Sequence, residues 1–473
     1  MDLEDFRRHA HELVDWMADY FGGVEEMPVL PRVNPGEILA KLPADPPEKG
    51  ESFERIMEDF KSVILPGITH WQSPNYFAYF NANNSFPSVL AEMLTATLGV
   101  QCMSWITSPA ATELEERVMQ WLGEMIGLPR EFTGVIQDSA SSATLSSLLT
   151  AREKASGCKV NHHGFGDERF TVYCSQEAHS SVEKGVRIAG IGASHLRRIA
   201  VDTDYAMDPG ALDAAIRQDL EGGFHPLAIV AALGTTGSTA IDPLDQVAAI
   251  SRKHGLWLHV DAAYAGTALL LPSMRWMIKG IEDVDSFVFN PHKWMFTNFD
   301  CSAYFVRDAN ALVNTFTLLP EYLKTPVDGS VKNYRDWGIP LGRRFRALKL
   351  WFVIREYGIQ GLRNTVTDHI RWASEMADQV REAKDFELMA PTPLATVCFR
   401  YHPESMDNPE ELDSLNQRLM GELNASGRLF LTHTRLGGAL TLRLVIGQTQ
   451  QERRHVMAAW ETITRTAHRL HER

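Results

Sequence analysis

A lysine, an aspartate, a histidine and two groups of hydroxyl side chains stand where apolar runs of this chain end. These residues could do chemistry. Lys293 closes the stretch 286–294, in which Ser-Phe-Val-Phe reads as a buried strand and Asn-Pro-His-Lys as a polar corner before Trp294. A lysine walled by aromatic residues is costly to keep charged, and burial moves it toward a neutral, nucleophilic amine. Such an amine forms Schiff bases with carbonyl compounds, although a lysine at a strand end also snorkels to water. Asp261 ends the run Leu-Trp-Leu-His-Val at 256–260. A carboxylate there needs a cationic or N–H partner to stay ionised, or else it caps a helix. His179 sits between a strand-like run and a helix, as a structural histidine or one that stacks on a flat ring. Ser139-Ala140-Ser141-Ser142 leads from a short β-rich run straight into a helix. Free N–H groups and the helix dipole make an anion site there, with simple N-capping by Ser139 or Ser141 as the alternative. The cluster Gly-Thr-Thr-Gly-Ser-Thr at 234–239 adds further hydroxyls. No Gly-x-Gly-x-x-Gly or Gly-Lys-Ser/Thr pattern accompanies these groups, so a single phosphate is indicated, not a dinucleotide or ATP.

The elements that must position these groups are short β-rich runs at 134–136, 170–174, 199–201, 227–233, 256–260, 287–289 and 303–306, alternating with helical patterns. Several are continuously apolar, as strands covered on both faces are. Strand–helix alternation predicts an α/β domain with a mainly parallel sheet, and ligands of such sheets lie beyond the C-terminal strand ends. All five groups fall at such ends. Together they provide a phosphate cradle, a stacking imidazole, hydroxyls, a carboxylate for a ring nitrogen and a Schiff-base lysine, which a pyridoxal 5′-phosphate site requires.

Around this core, Phe6, Ala10, Leu13 and Met17 mark an amphipathic first helix ending at Gly22-Gly23. A proline-rich stretch follows, then a second helix capped by Ser52, and the pair reads as a dimer arm. The aromatic-dense segment 68–80 suits a pocket wall as well as core. Segment 321–336 is expected to be an exposed, mobile loop, and a long helix is expected over 344–357. Expected boundaries are 1–85 for an N-terminal helical and extended dimerisation segment, 86–380 for the large cofactor-binding α/β domain, and 381–473 for a small α+β domain. With 473 residues, two or three structural units are expected. The formal charge of −14 gives no nucleic-acid or anionic-membrane footprint. Five scattered cysteines, without a Cys-x-x-Cys pair, argue against a disulfide framework or zinc site, and no metal is expected. Without a signal-like or membrane-spanning run, a cytoplasmic protein is expected.

The ordered segments Thr69-His-Trp71, Phe77-Ala-Tyr-Phe80, Ala178-His-Ser-Ser-Val-Glu183, His259-Val-Asp-Ala-Ala-Tyr-Ala-Gly266, Asn290-Pro-His-Lys-Trp294, Asn298-Phe-Asp-Cys-Ser302 and Pro340-Leu-Gly-Arg-Arg-Phe-Arg346 resemble the signatures of the pyridoxal-phosphate-dependent group II decarboxylases, most closely the aromatic-L-amino-acid decarboxylases. The resemblance runs nearly end to end. It implies a fold-type-I homodimer with the site at the subunit interface, and an aromatic L-amino acid decarboxylated to its arylalkylamine. It further implies Lys293 as the Schiff-base lysine, Asp261 as the carboxylate on the pyridine nitrogen and His179 stacked on the ring. Ser139, Ala140, Asn290 and His292 would lie at the phosphate, with Thr236 and Ala263 lining the ring. Tyr322 resembles the tyrosine that returns a proton to the substrate carbon after CO₂ leaves. Related aldehyde-forming enzymes tend to carry phenylalanine there, which cannot donate that proton, so simple decarboxylation is favoured over oxidative deamination to an aldehyde. Trp71, Tyr79, Phe80, Val100, Met103 and Gly342 resemble the side-chain pocket. Phenylalanine, tyrosine, dopa and tryptophan remain open as substrates, and a catalytically silent cofactor-binding homologue is the alternative from another class.

Overall fold

The computed structural model describes residues 1–318 and 330–472. Tyr322 therefore lies outside the described residues. The chain divides into two compact units: Met1–Asn81, Asp378–Glu387 and Phe399–Arg473 form one, and Ala82–Ala377 with Leu388–Cys398 form the other.

The second unit is built on a seven-stranded sheet of β1 (Thr133–Gln137), β2 (Phe170–Ser175), β3 (Leu196–Ile199), β4 (His225–Ala232), β5 (Trp257–Asp261), β6 (Ser286–Phe289) and β7 (Ser302–Val306), in the order β1-β7-β6-β5-β4-β2-β3. Strand β7 is antiparallel to both neighbours, and the other six run in one direction. The mainly parallel sheet read from the strand–helix alternation is thus present. Strands β2, β6 and β7 are buried along their whole length, which is why they read as unbroken apolar runs. One expected strand is displaced: the run 199–201 is found as Leu196–Ile199. As the edge strand of the sheet, β3 carries Arg197 and Arg198, so its apolar signal is weak. The expected long helix is Arg346–Glu382, with a break in helical geometry at Gly358, whose φ of +61° favours glycine. The end of the segment expected to be an exposed loop is instead buried: Tyr334, Arg335 and Asp336 form a tight turn with little solvent contact.

In the first unit, helix Leu3–Gly23 begins at Asp2, whose carboxylate accepts the Asp5 N–H at 2.8 Å. Ser52 caps the helix Phe53–Asp59 through the Arg55 N–H, as its position suggested. A four-stranded sheet toward the C-terminus has β8 (Phe386–Leu388), β9 (Thr396–Tyr401), β10 (Thr432–Leu436) and β11 (Ala439–Val445) in the order β10-β11-β9-β8, with residues 388 and 396–398 of β8 and β9 counted in the second unit. Helices Pro409–Ala425 and Arg453–His471 accompany it.

Candidate active site

Because β1, β2, β4, β5 and β6 point the same way, the segments after their last residues emerge along one edge of the sheet. The groups singled out at strand ends are therefore brought to one side of the second unit. Register fixes their depth: Asp261 is level with Ala232 on one neighbour and Val288 on the other. After β1, Ser139 caps the 17-residue helix Ala140–Ser156, accepting the Ser142 N–H at 3.2 Å. The first amides of an α-helix have no intrahelical partner, and such a terminus is suited to an anion.

After β6, the chain makes one helical turn, Pro291–Trp294. Asn290 Oδ1 accepts the Ser302 hydroxyl at 2.7 Å, and the Asn290 N–H donates to the Ala263 carbonyl at 3.0 Å, tying the corner to β7 and to the residues after β5. His292 Nδ1 accepts the Cys301 N–H at 2.9 Å, so its proton resides on Nε2. Burial, reinforced by the Lys293 charge, lowers the His292 pKa to about 3 and leaves the imidazole a neutral donor. The backbone carrying Lys293 is held by Asn83, whose N–H donates to the His292 carbonyl and whose side-chain amide donates to the Lys293 carbonyl. Next to it, Trp294 is fully buried and stacked on Tyr264 at 4.5 Å, with its Nε1–H donated to His369 Nδ1 at 3.0 Å. Lys293 is half-buried in this rigid frame.

Asp261 Oδ1 accepts the Ala263 N–H at 3.0 Å, and among the described residues no arginine or lysine forms an ion pair with it. Its partly buried carboxylate is available to a cationic nitrogen. His179 is accessible as a residue, with its Nδ1 accepting the Ser181 N–H at 3.1 Å and facing the Ser181 hydroxyl at 2.8 Å. Desolvation lowers the His179 pKa, the Asp261 carboxylate opposes this and the Lys293 ammonium adds to it, so the three groups share one electrostatic neighbourhood. Thr236 is exposed at the head of the β4 loop, and Ala263 is half-buried two residues past Asp261. A helix N-terminus capped by Ser139, a carboxylate with no ion-pair partner among the described residues and an amine on a hydrogen-bonded turn suit a cofactor with a phosphate, a basic ring nitrogen and an aldehyde.

A family model described as the pyridoxal-dependent decarboxylase conserved domain matches residues 35–402. The chain belongs to the pyridoxal-dependent decarboxylase family. Its cofactor is accordingly pyridoxal 5′-phosphate. Among related proteins, it is 43% identical to phenylacetaldehyde synthase of Arabidopsis thaliana over 99% of this chain and 96% of the relative. It is 42% identical to tyrosine decarboxylase 2 of Narcissus pseudonarcissus over 98% of this chain and 93% of that one. A crystal structure of Oryza sativa TDC with PLP and tryptamine superposes with a TM-score of 0.96 at 37% identity, covering 99% of both chains.

The residues expected around the substrate side chain of this decarboxylase are divided between the units. Trp71 stacks against Tyr79 at 6.0 Å, and Phe80 lies under the Arg443 guanidinium at 5.3 Å, all within the first unit. Val100, Met103 and Gly342 belong to the second, where the Cys102 N–H donates to the Arg343 carbonyl at 3.0 Å and joins the 100–103 segment to the 342–343 segment. The sequence reading passed over what holds this junction. Glu115 lies on helix Pro109–Ile126. It is almost fully buried, and both its oxygens accept from Arg343, at 2.6 and 3.1 Å. The same pair grips β1: the Ile136 N–H donates to Glu115 at 2.9 Å and Arg343 donates to the Ile136 carbonyl at 2.7 Å. Gln101 completes it, accepting the Arg343 N–H at 2.6 Å and standing 3.3 Å from where a Cβ on Gly342 would lie. The signal was available in the helical period, since Glu115 falls in line with buried Ala111, Val118, Met119 and Leu122.

Proposed function

We propose that this protein decarboxylates an aromatic L-amino acid to the corresponding arylalkylamine and CO₂, as a cytoplasmic homodimer with the expected domain division 1–85, 86–380 and 381–473. The observation that carries the reading is Asp261, a carboxylate at a parallel-strand end that forms no ion pair with an arginine or lysine among the described residues, in the same electrostatic neighbourhood as His179 and Lys293. The bound cofactor supplies an electron sink for the pair left on the substrate Cα when CO₂ departs. Lys293 anchors the cofactor through its amine, and Asp261 holds a proton on the ring nitrogen. His179 would hold the ring from one face, with Thr236 and Ala263 as further ring contacts. Ser139, the Ala140 N–H, Asn290 and His292 bind the phosphate end. Tyr322 delivers the proton that replaces the carboxylate at Cα, leaving the amine.

An aromatic substrate is supported by the tyrosine decarboxylase relative and by the grouping of Trp71, Tyr79 and Phe80, with Val100, Met103 and Gly342 as further pocket residues. A second reading, oxidative conversion to the aldehyde with consumption of O₂, is favoured by the likeness to phenylacetaldehyde synthase. The tyrosine at 322 weighs against it. A homodimer is supported by helix Phe86–Leu98, which leaves Phe86, Leu90, Leu94 and Leu98 59%, 54%, 46% and 60% exposed along one face. Four large apolar side chains at a four-residue spacing form a stripe that a second copy would cover. Among the described residues no helix is long and apolar enough to cross a membrane. A panel of L-amino acids, with products identified by mass spectrometry, tests the reading. Amine from aromatic substrates alone is expected; turnover of glutamate in preference to every aromatic amino acid would overturn the substrate class.

A further inference from the structure

Beneath the site lies a buried polar ladder with no part in the chemistry above. His259 is fully buried and two residues before Asp261 on β5, so both side chains leave the same face of the strand. Its Nδ1 lies 2.9 Å from the Ser286 hydroxyl on β6 and its Nε2 3.3 Å from the Thr144 hydroxyl on helix Ala140–Ser156. The next same-face residue, Trp257, donates Nε1–H to the Ser147 hydroxyl at 2.8 Å, and Ser147 and Ser286 lie 2.8 Å apart. Helix positions 144 and 147 thus meet strand positions 257 and 259, turn against pleat. All of these groups are desolvated, and an apolar interface would close the same gap without that cost. What hydrogen bonds add over apolar contact is register: greasy faces slide, whereas bonded partners do not.

The cofactor carries its phosphate on a CH₂–O arm of a rigid ring whose nitrogen lies two ring bonds from that arm, so the span between the two groups is limited. The groups assigned to those ends stand on different elements, Ser139 and Ala140 at the head of the helix and Asp261 at the end of β5. We infer that His259, bonded to Thr144 and Ser286, is a positioning residue that fixes the spacing between the phosphate cradle and Asp261. The inference rests on the reading of Ser139, Ala140 and Asp261 given above. Burial, partly opposed by Asp261, lowers the His259 pKa to about 4. The ring stays neutral and puts no positive charge under Asp261 to compete with the ring nitrogen.

The test is the dissociation rate of the cofactor from the holoenzyme, followed by its absorbance, beside the melting temperature of the apo form. Thr144→Val removes one hydroxyl at constant shape, and His259→Leu removes the imidazole. Each is expected to speed cofactor loss about tenfold or more, the two effects being non-additive, while His259→Gln stays within about threefold of native. The apo melting temperature of Thr144→Val is expected to fall by no more than about 5 °C. Native dissociation rates in both Thr144→Val and His259→Leu overturn the inference, as does a loss of apo stability proportionate to the loss of cofactor. Ser139→Ala and Asp261→Asn serve as references. If they shed the cofactor and the ladder variants do not, only this inference fails; if they too hold it as tightly as native, the reading of the site fails.

Discussion

Arg343→Met cuts the pair that joins β1 to the 100–103 and 342–343 segments. The side chains of Arg343 and Glu115 are 7% and 2% exposed, so removal of the guanidinium strands a carboxylate in the interior. Breaking a buried ion pair from one side costs about 3–5 kcal/mol. The second unit holds about 300 residues. At roughly 2.1 cal/mol/K per residue its unfolding entropy is about 0.6 kcal/mol/K, which converts that loss to a fall in melting temperature of about 5–8 °C. The Ile136 N–H still donates to Glu115, which places the variant toward the lower end. The double variant Glu115→Met/Arg343→Met leaves no stranded charge and recovers at least half the loss. Calorimetry of native, single and double apo proteins decides the matter. A functional arm accompanies it: KM for the amino acid rises more than kcat falls, because Met103 and Gly342 shift while Lys293 and Asp261 keep their places. A melting temperature within about 1 °C of native for Arg343→Met, or a double variant no better than the single, would refute the reasoning.

Three further outcomes are expected. Tyr322→Phe lowers amine formation by roughly 10²–10⁴-fold, the range for loss of a positioned proton donor, and raises the share of aldehyde and peroxide; unchanged amine output would remove Tyr322 from the proposal. His259, His292 and His369 are held neutral by burial, with pKa values of about 4, 3 and 3 against an ordinary 6.5. Their unfolded forms bind protons that the native forms refuse, so their contribution to stability is whole above pH ~6.5 and is lost as pH falls toward 4–3, at up to about 4 kcal/mol per pH unit. Urea titrations at stepped pH check this, and His369→Gln should remove about a third of the slope. Leu90→Asp/Leu94→Asp should give monomers in sedimentation velocity and abolish turnover; an active monomer would contradict an interface site.

The strand ends were the most legible part of this chain, because parallel strands buried on both faces leave unbroken apolar runs that stop abruptly at polar residues. Asp261 and Lys293 are conspicuous for that reason. The edge strand β3, with its two arginines, and β8 and β10, which are short or half-exposed, lack such runs, so β3 was misplaced and the other two were not foreseen. The buried Glu115–Arg343 pair was hidden differently. Each charge looks like solvated surface until a partner far along the chain is brought to it, and local pattern contains no term for that encounter. Tyr334 was hidden in the same way, in a polar stretch that reads as loop but packs under the Arg343 guanidinium, 4.8 Å from its ring centre. The long-range pairings of β5 with the cradle helix lie equally beyond reach of any local window.

The central claim is that CO₂ leaves and a proton takes its place at the same carbon. Holoenzyme turning over carboxyl-labelled aromatic L-amino acids in D₂O measures both at once. Equimolar labelled CO₂ and amine, with a single deuteron at Cα and no hydrogen peroxide, is the predicted result. Aldehyde with equimolar peroxide, or no labelled CO₂ from any aromatic amino acid, would contradict it.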